Sequence, residues 1–363
     1  MFKSKESNPF CLSILSFFII TSLSFTLLNC TEDKASFQQF NEEVPIYGEF
    51  VKEISIFSQS NVNLMVVDSF LVIQTRQDNV LKVYNTNNFQ LLVEYGTIGN
   101  GDLQFGTPEL LKNYRRTTNK NSPIISVYDL DRREINEIDL LGLINDEPQF
   151  HNQNPIDDRD NYYLNFYYSS EEYYIGVPDG SKKFILFDRI GKNEIIFPYT
   201  PKLDFEIEPV WMYSIYRPAI AVNKGKKRIA AATMLIPNLE ISDFEQNLIA
   251  SVSYDTVDSL KNGLEVYRKS EWFDSKHFIK DIDSNNDYIL GLNYNNSSTA
   301  IYNNYDHQDL NFLQFDWEGN LLKKFILADN KFVESFAVDF DNNKVYCFLP
   351  HEKEYNLYVY DLN

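Results

Sequence analysis

The chain has 363 residues and a formal charge of −19, with 52 acidic against 33 basic side chains. Phosphate backbones are bound by Lys and Arg, so this balance excludes a nucleic-acid-binding role, and 13 Gly and 13 Pro exclude collagen-like and linker-rich classes. Aromatic residues reach 15%, a composition that favours strands, and the length suits one large closed all-β domain.

Met1 to Asn8 is polar and carries Lys3 and Lys5, whereas Phe10 to Leu28 runs apolar without a charge. These are the n-region and h-region of an export signal; the alternative is an uncleaved transmembrane helix, for which the stretch is just long enough. It ends in Leu27-Leu28-Asn29-Cys30, which resembles the lipobox of bacterial lipoproteins. That resemblance implies a signal peptide over 1–29, acylation of Cys30, a lipidated flexible tether over 30–45 and a folded domain over 46–363. Thr31-Glu32-Asp33 is similar to the acidic start of some surface-displayed Gram-negative lipoproteins. The expected location is therefore the outer membrane, facing the periplasm or the cell surface. With Cys11 removed and Cys30 acylated, Cys347 has no disulfide partner in the mature chain and reads as a buried small hydrophobe.

Beyond residue 45, short alternating apolar runs are separated by clusters of Asn, Asp and Gly, the pattern of an all-β sandwich, barrel or propeller. Tyr47 to Phe57 comes first and has no partner of its own. A recurring unit then follows: an apolar strand, an aromatic residue, Asp or Asn, a polar turn and a second strand. Its copies centre on Tyr84-Asn85, Tyr128-Asp129, Phe187-Asp188, Tyr254-Asp255, Phe315-Asp316 and Tyr360-Asp361, spaced about 55 residues apart on average. Asp or Asn suits the turn because its side chain bonds backbone two residues on. Six copies predict an all-β, six-bladed β-propeller with four-stranded blades. The last copy stops at Asn363, before the blade's final strand, and an open blade would leave an unpaired edge. Tyr47 to Phe57 is therefore expected to pair with the C-terminal strand and close the ring.

Gly96-Thr97-Ile98-Gly99-Asn100-Gly101-Asp102-Leu103-Gln104-Phe105 resembles the glycine-rich segment of TolB-like six-bladed propeller lipoproteins. Phe315 to Asn320, Phe336-Ala337-Val338-Asp339 and Val345-Tyr346 are similar to that family's final third. The resemblance covers residues 46–363 and implies the same fold and location, while adding almost no chemistry.

No nucleophile elbow, zincin, P-loop or paired-cysteine motif occurs. His151, His277, His307 and His351 fall in different units and read as surface residues. Asp281-Ile282-Asp283-Ser284-Asn285-Asn286-Asp287 has oxygen side chains at the first, third, fifth and seventh positions of a calcium loop. It lacks the Gly, and Leu292 stands where Glu is needed, so a polar turn before the strand Tyr288 to Leu292 is expected. Arg217 and the tyrosines from Tyr162 to Tyr174 are the contact-surface residue types, since Tyr and Arg concentrate in binding hot spots. Alternating strand packing is the favoured account of the tyrosines, and these residues are not nominated as sites. No catalytic residue, metal ligand or cofactor is expected, and ligand-binding residues are left open. The reading is a membrane-anchored, monomeric binding module for a protein or carbohydrate partner. Its alternatives are a calcium-dependent hydrolase at the propeller channel and a structural component of an envelope complex.

Overall fold

Six sheets are arranged as the blades of a six-bladed β-propeller; four are antiparallel and built from four strands consecutive in sequence, and the last two are each joined by a strand from the N-terminal part of the chain. The computed structural model describes residues 40–54, 61–101, 104–117, 121–147, 150–155, 163–168, 172–178, 182–188, 193–202, 207, 209–255, 275–303, 307–352 and 356–363. Residues 1–29, expected to form a signal peptide, and Cys30 lie outside the described residues.

The innermost strands are Asn63–Val67, Pro108–Arg116, Tyr163–Tyr168, Pro218–Asn223, Lys276–Ser284 and Ser335–Asp339, one at the channel edge of blades 1 to 6 in turn. Each pair of neighbouring blades encloses one apolar cluster. Val67, Val72 and Val83 of blade 1 meet Leu110, Ile125 and Val127 of blade 2, and the same arrangement recurs around the ring. A blade is covered on both faces, so its middle strands are apolar throughout rather than alternating. Pro123–Asp129 is buried at every position.

The third strand of every blade ends in Asn or Asp: Leu81–Asn85, Glu134–Asp139, Phe184–Asp188, Asn238–Asp243, Asn311–Asp316 and Leu357–Asp361. Where that turn is described, the side chain at the strand's end bonds the backbone that follows it. Asp316 accepts from the amides of Glu318 at 2.9 Å and Asn320 at 2.8 Å. Asp243 repeats this with Glu245 and Asn247, and Asn85 takes the amide of Asn87. In blade 2 the turn is replaced by a one-and-a-half-turn helix, Leu140–Ile144, capped by Asp139.

This corrects two of the six expected copies. Tyr128-Asp129 closes the second strand of blade 2, and Asp129 accepts the amides of Gly106 and Thr107 from the loop arriving from blade 1. Tyr254-Asp255 lies beyond the outer strand Leu248–Ser253 of blade 4, where Asp255 pairs with Lys276. The strand expected at Leu264 to Tyr267 lies outside the described residues. The equivalent positions are Ile138-Asp139 and Ser242-Asp243, which lack the aromatic residue that marks the other copies.

Ring closure agrees with the expectation. Gly48–Lys52 pairs antiparallel with Leu357–Asp361 and supplies the outer strand of blade 6. Gly48 is required because a Cβ there would lie 2.6 Å from Cζ of Tyr360. The tether boundary at residue 45 is moved: Glu42–Ile46 is already a strand, running parallel to Leu321–Leu327 as a fifth strand on blade 5. Asp329 joins the two attachments, accepting from the Gly48 amide at 3.2 Å and the Tyr360 hydroxyl at 3.0 Å. Cys347 is buried in the cluster between blades 5 and 6, and burial pushes its thiol up.

The glycine-rich segment is an inter-blade link. Thr97–Ile98 and Gln104–Phe105 pair in parallel. Gly96 takes φ +82°, with the Phe105 ring 2.7 Å from where its Cβ would stand.

Candidate functional site: the polar cavity of the channel

The innermost strands surround a cavity of about 320 Å³ that takes lining residues from all six blades. Residues entering these strands contribute Asn61, Arg217 and Glu334; the loop after the second strand of blade 1 contributes Arg76. The cavity therefore opens at the end of the propeller where the innermost strands begin.

Its inner part is crossed by an ion pair. Lys112 of blade 2 bonds Asp281 of blade 5, the blade opposite, and its ammonium sits 4.3 Å from the ring centre of Phe336 in blade 6. Lys280 donates to the carbonyl of Glu334 at 2.8 Å. Blades 3 and 4 are joined at the rim, where Arg217 donates to Oδ1 of Asn165 at 3.0 Å and the Tyr167 hydroxyl donates to the carbonyl of Pro218 at 3.2 Å.

The electrostatics are those of a desolvated pocket. Burial pushes the Glu109 carboxyl up, while the Arg217 and Arg76 guanidiniums pull it back. Burial likewise raises Glu334, which Lys280 partly offsets, and lowers Lys280 against the pull of Glu334 and Asp281. Neither Arg76 nor Arg217 has an ion-pair partner among the described residues. Perturbed carboxyls and ammonium groups gathered in one cavity make it the candidate site.

Two groups deeper in the structure titrate in opposite directions. Burial raises Asp283 from 3.8 to about 6, although Lys112 and the amides of Val338 and Ser284 oppose it. Its folded value exceeds the unfolded one, so its favourable contribution is present in acid and is lost as pH rises through 6. His277 is lowered from 6.5 to about 4, by burial and then by Lys280. Its contribution is present above 6.5 and is lost as pH falls toward 4. Asp283→Asn keeps the acceptor for Val338 and is expected to stabilise the protein at pH 7 by about 1–2 kcal/mol, discounted for partial exposure, with little gain at pH 4. Thermal melts at the two pH values test this; an equal shift at both would show that the carboxyl is unperturbed.

The contact-surface residues singled out in the sequence are split by the fold. Arg217 and Tyr167 come together at the cavity rim. Tyr163 and Tyr174 are buried between blades 2 and 3. The turn expected over Asp281 to Asp287 is shorter than its spacing suggested. Asp281 and Asp283 belong to the strand Lys276–Ser284, and the turn is only Asn285 to Asp287, with Asn285 bonding the amides of Asp287 and Tyr288. The surface reading of the histidines fails for His277 and His307, both buried. His277 lies against the Ser298 hydroxyl, and His307 bonds the carbonyl of Ile301. His351 is exposed, and the side chain of His151 lies outside the described residues. Among the described residues, no group of three or more His, Cys, Asp or Glu is placed to hold a metal ion, and no described helix is long and apolar enough to cross a membrane.

Glu109, Lys112, Lys280 and Glu334 were missed in the sequence. A signal was present: Pro108-Glu109-Leu110-Leu111-Lys112 and Phe278-Ile279-Lys280-Asp281-Ile282 set charges inside apolar strands, where a surface role is hard to satisfy.

The chain matches no family model and no curated protein. Solved structures match it across most of its length. A member of the DUF4221 family from Bacteroides vulgatus superposes with a TM-score of 0.54 at 11% identity, covering 89% of this chain and 98% of its own. A Bacteroides fragilis chain described as an exported protein gives 0.53 at 11% identity, covering 88% and 97%. At this identity the likeness shows the fold, a six-bladed propeller shared over most of the chain.

Proposed function

We propose that this chain is an exported, lipid-anchored propeller of the bacterial envelope that binds a small polar ligand in the channel cavity without transforming it. The cavity carries the reading. A rigid ring of six blades presents charged and amide side chains from every blade to one enclosed space, and concave sites with a few convergent polar groups are where small ligands bind. The crossing Lys112–Asp281 pair gives the space a floor. Arg76 and Arg217 at the rim have no ion-pair partner among the described residues and are exposed to a ligand.

Export is supported by the apolar leader, and by the likeness to a protein described as exported. Anchoring rests on Cys30 and the lipobox resemblance, and kinship with TolB-like propeller lipoproteins belongs to the same proposal. Cys30→Ser is expected to abolish incorporation of labelled palmitate and release the protein from the membrane fraction. Labelling that persists in this variant rules out Cys30 as the anchor.

Ser214 tests the cavity. It is exposed and lines the rim from the helix Pro209–Tyr216. Ser214→Trp should leave the melting temperature unchanged while filling the entrance. In a thermal-shift screen of sugars, hydroxy acids, amino acids and short peptides, at least one class should stabilise the wild-type chain and not the variant. Stabilisation that survives the substitution, or none with any class, would place recognition on the outer loops instead.

A further inference from the structure

We infer that the cavity takes a small acidic sugar, its carboxylate drawn to Arg76 and Arg217 and its hydroxyls to the amide and hydroxyl side chains around them. This deepens the reading above and rests on it.

Four cations and three carboxylates line the cavity, and the inner cations are already satisfied. Lys112 is held by Asp281 and Lys280 by the Glu334 carbonyl, so both ammonium groups are engaged. Arg76 and Arg217 are exposed at the rim on opposite blades. The only hydrogen bond of Arg217 among the described residues is to the neutral Asn165 amide. Both guanidiniums act on the single carboxyl of Glu109, pulling it toward its charged form against the burial that raises it, so two positive charges face one acid there. The rim is therefore a local positive field in a chain whose net charge is −19, and a planar guanidinium matches a carboxylate in a two-point bond.

The rest of the lining selects among anions. Asn61, Asn63, Asn165 and Ser214 line the same space. Amide side chains donate and accept at once, as sugar hydroxyls do. Tyr167 adds an aromatic wall. A fatty acid would leave these groups unpaired, and a bare inorganic anion would leave most of them unused. Glu109 plays a distinct part: it is the internal competitor for the two guanidiniums, and removing its charge should favour the ligand.

Titration calorimetry on the full chain in detergent, with D-galacturonate, D-galactose and D-galactose 6-phosphate as probes, tests this. Galacturonate should bind on the order of tenfold more tightly than galactose. Arg76→Gln and Arg217→Gln should each weaken galacturonate about tenfold and galactose far less. Glu109→Gln should strengthen galacturonate, which a purely structural role for Glu109 does not predict. Equal affinity for galactose and galacturonate, or indifference to both arginine substitutions, overturns the acidic-sugar inference while leaving cavity binding intact. Tighter binding of the 6-phosphate overturns the carboxylate in favour of a phosphate. Failure of all three probes overturns the inference too, and the Ser214→Trp screen then decides the cavity separately.

Discussion

Removing residues 42–52 should lower the melting temperature by about 10 °C or more, an effect corresponding to several kcal/mol in a domain of this size. Two attachments go together. Gly48–Lys52 leaves Leu357–Asp361 as a bare edge, and Glu42–Ile46 uncovers Leu321–Leu327. Ile46 also leaves the apolar cluster between blades 5 and 6, and Asp329 loses the Gly48 amide. The exposed edges supply unpaired backbone groups, so aggregation on heating should rise as well. Deleting 31–39 is the control and should leave the transition in place. Differential scanning calorimetry on the two deletions decides the matter: matching melts would mean that the blade holds without its N-terminal strand. Gly48→Val gives a milder version, because the side chain must displace the Tyr360 ring while both strands remain.

The second large effect concerns the floor of the cavity. Lys112→Met should cost about 2–3 kcal/mol, because Asp281 is left charged and unpaired in a largely desolvated channel. The side chains are 17% and 28% exposed, which places the loss below that of a fully buried pair. Methionine keeps the packing against Phe336, so the loss reports the charge more than the volume. Lys112→Met combined with Asp281→Leu should recover most of the stability, since replacing both ions with apolar groups removes the desolvation cost together with the attraction. Denaturant melts of the two single variants and the double variant measure the coupling. If the losses simply add, the pair is not coupled and the channel floor is held by packing alone.

Much of this architecture is legible in the sequence. The hairpin unit can be seen because its turn chemistry is local: an Asp or Asn side chain caps its own turn, so the residue type is demanded wherever the third strand ends. The closing strand is legible for a related reason, since Tyr47 to Phe57 is strand-like, precedes the first unit and has no partner of its own. Two copies were misplaced where the aromatic marker moved. Tyr128-Asp129 imitates the motif one strand early, and Ser242-Asp243 keeps the Asp without the ring. Counting apolar strands could not separate the second strand from the third, because both are buried on two faces. The fifth strand, Glu42–Ile46, escaped notice because its charged and half-exposed residues carry the composition of a tether; only its hydrogen bonding to blade 5 makes it a strand.

The sequence by itself determined the blade count, the all-β pattern and the burial of Cys347. These depend on local turn geometry, strand patterning and composition, which neighbouring residues carry together. The tertiary structure alone decided the cavity. Arg76, Glu109, Lys112, Arg217, Lys280 and Glu334 come from five different blades, and no spacing relates them, because each is positioned by the ring and not by its neighbours in the chain. The same holds for their electrostatics: a carboxyl is pushed up, or an ammonium down, only once the surrounding blades have excluded water.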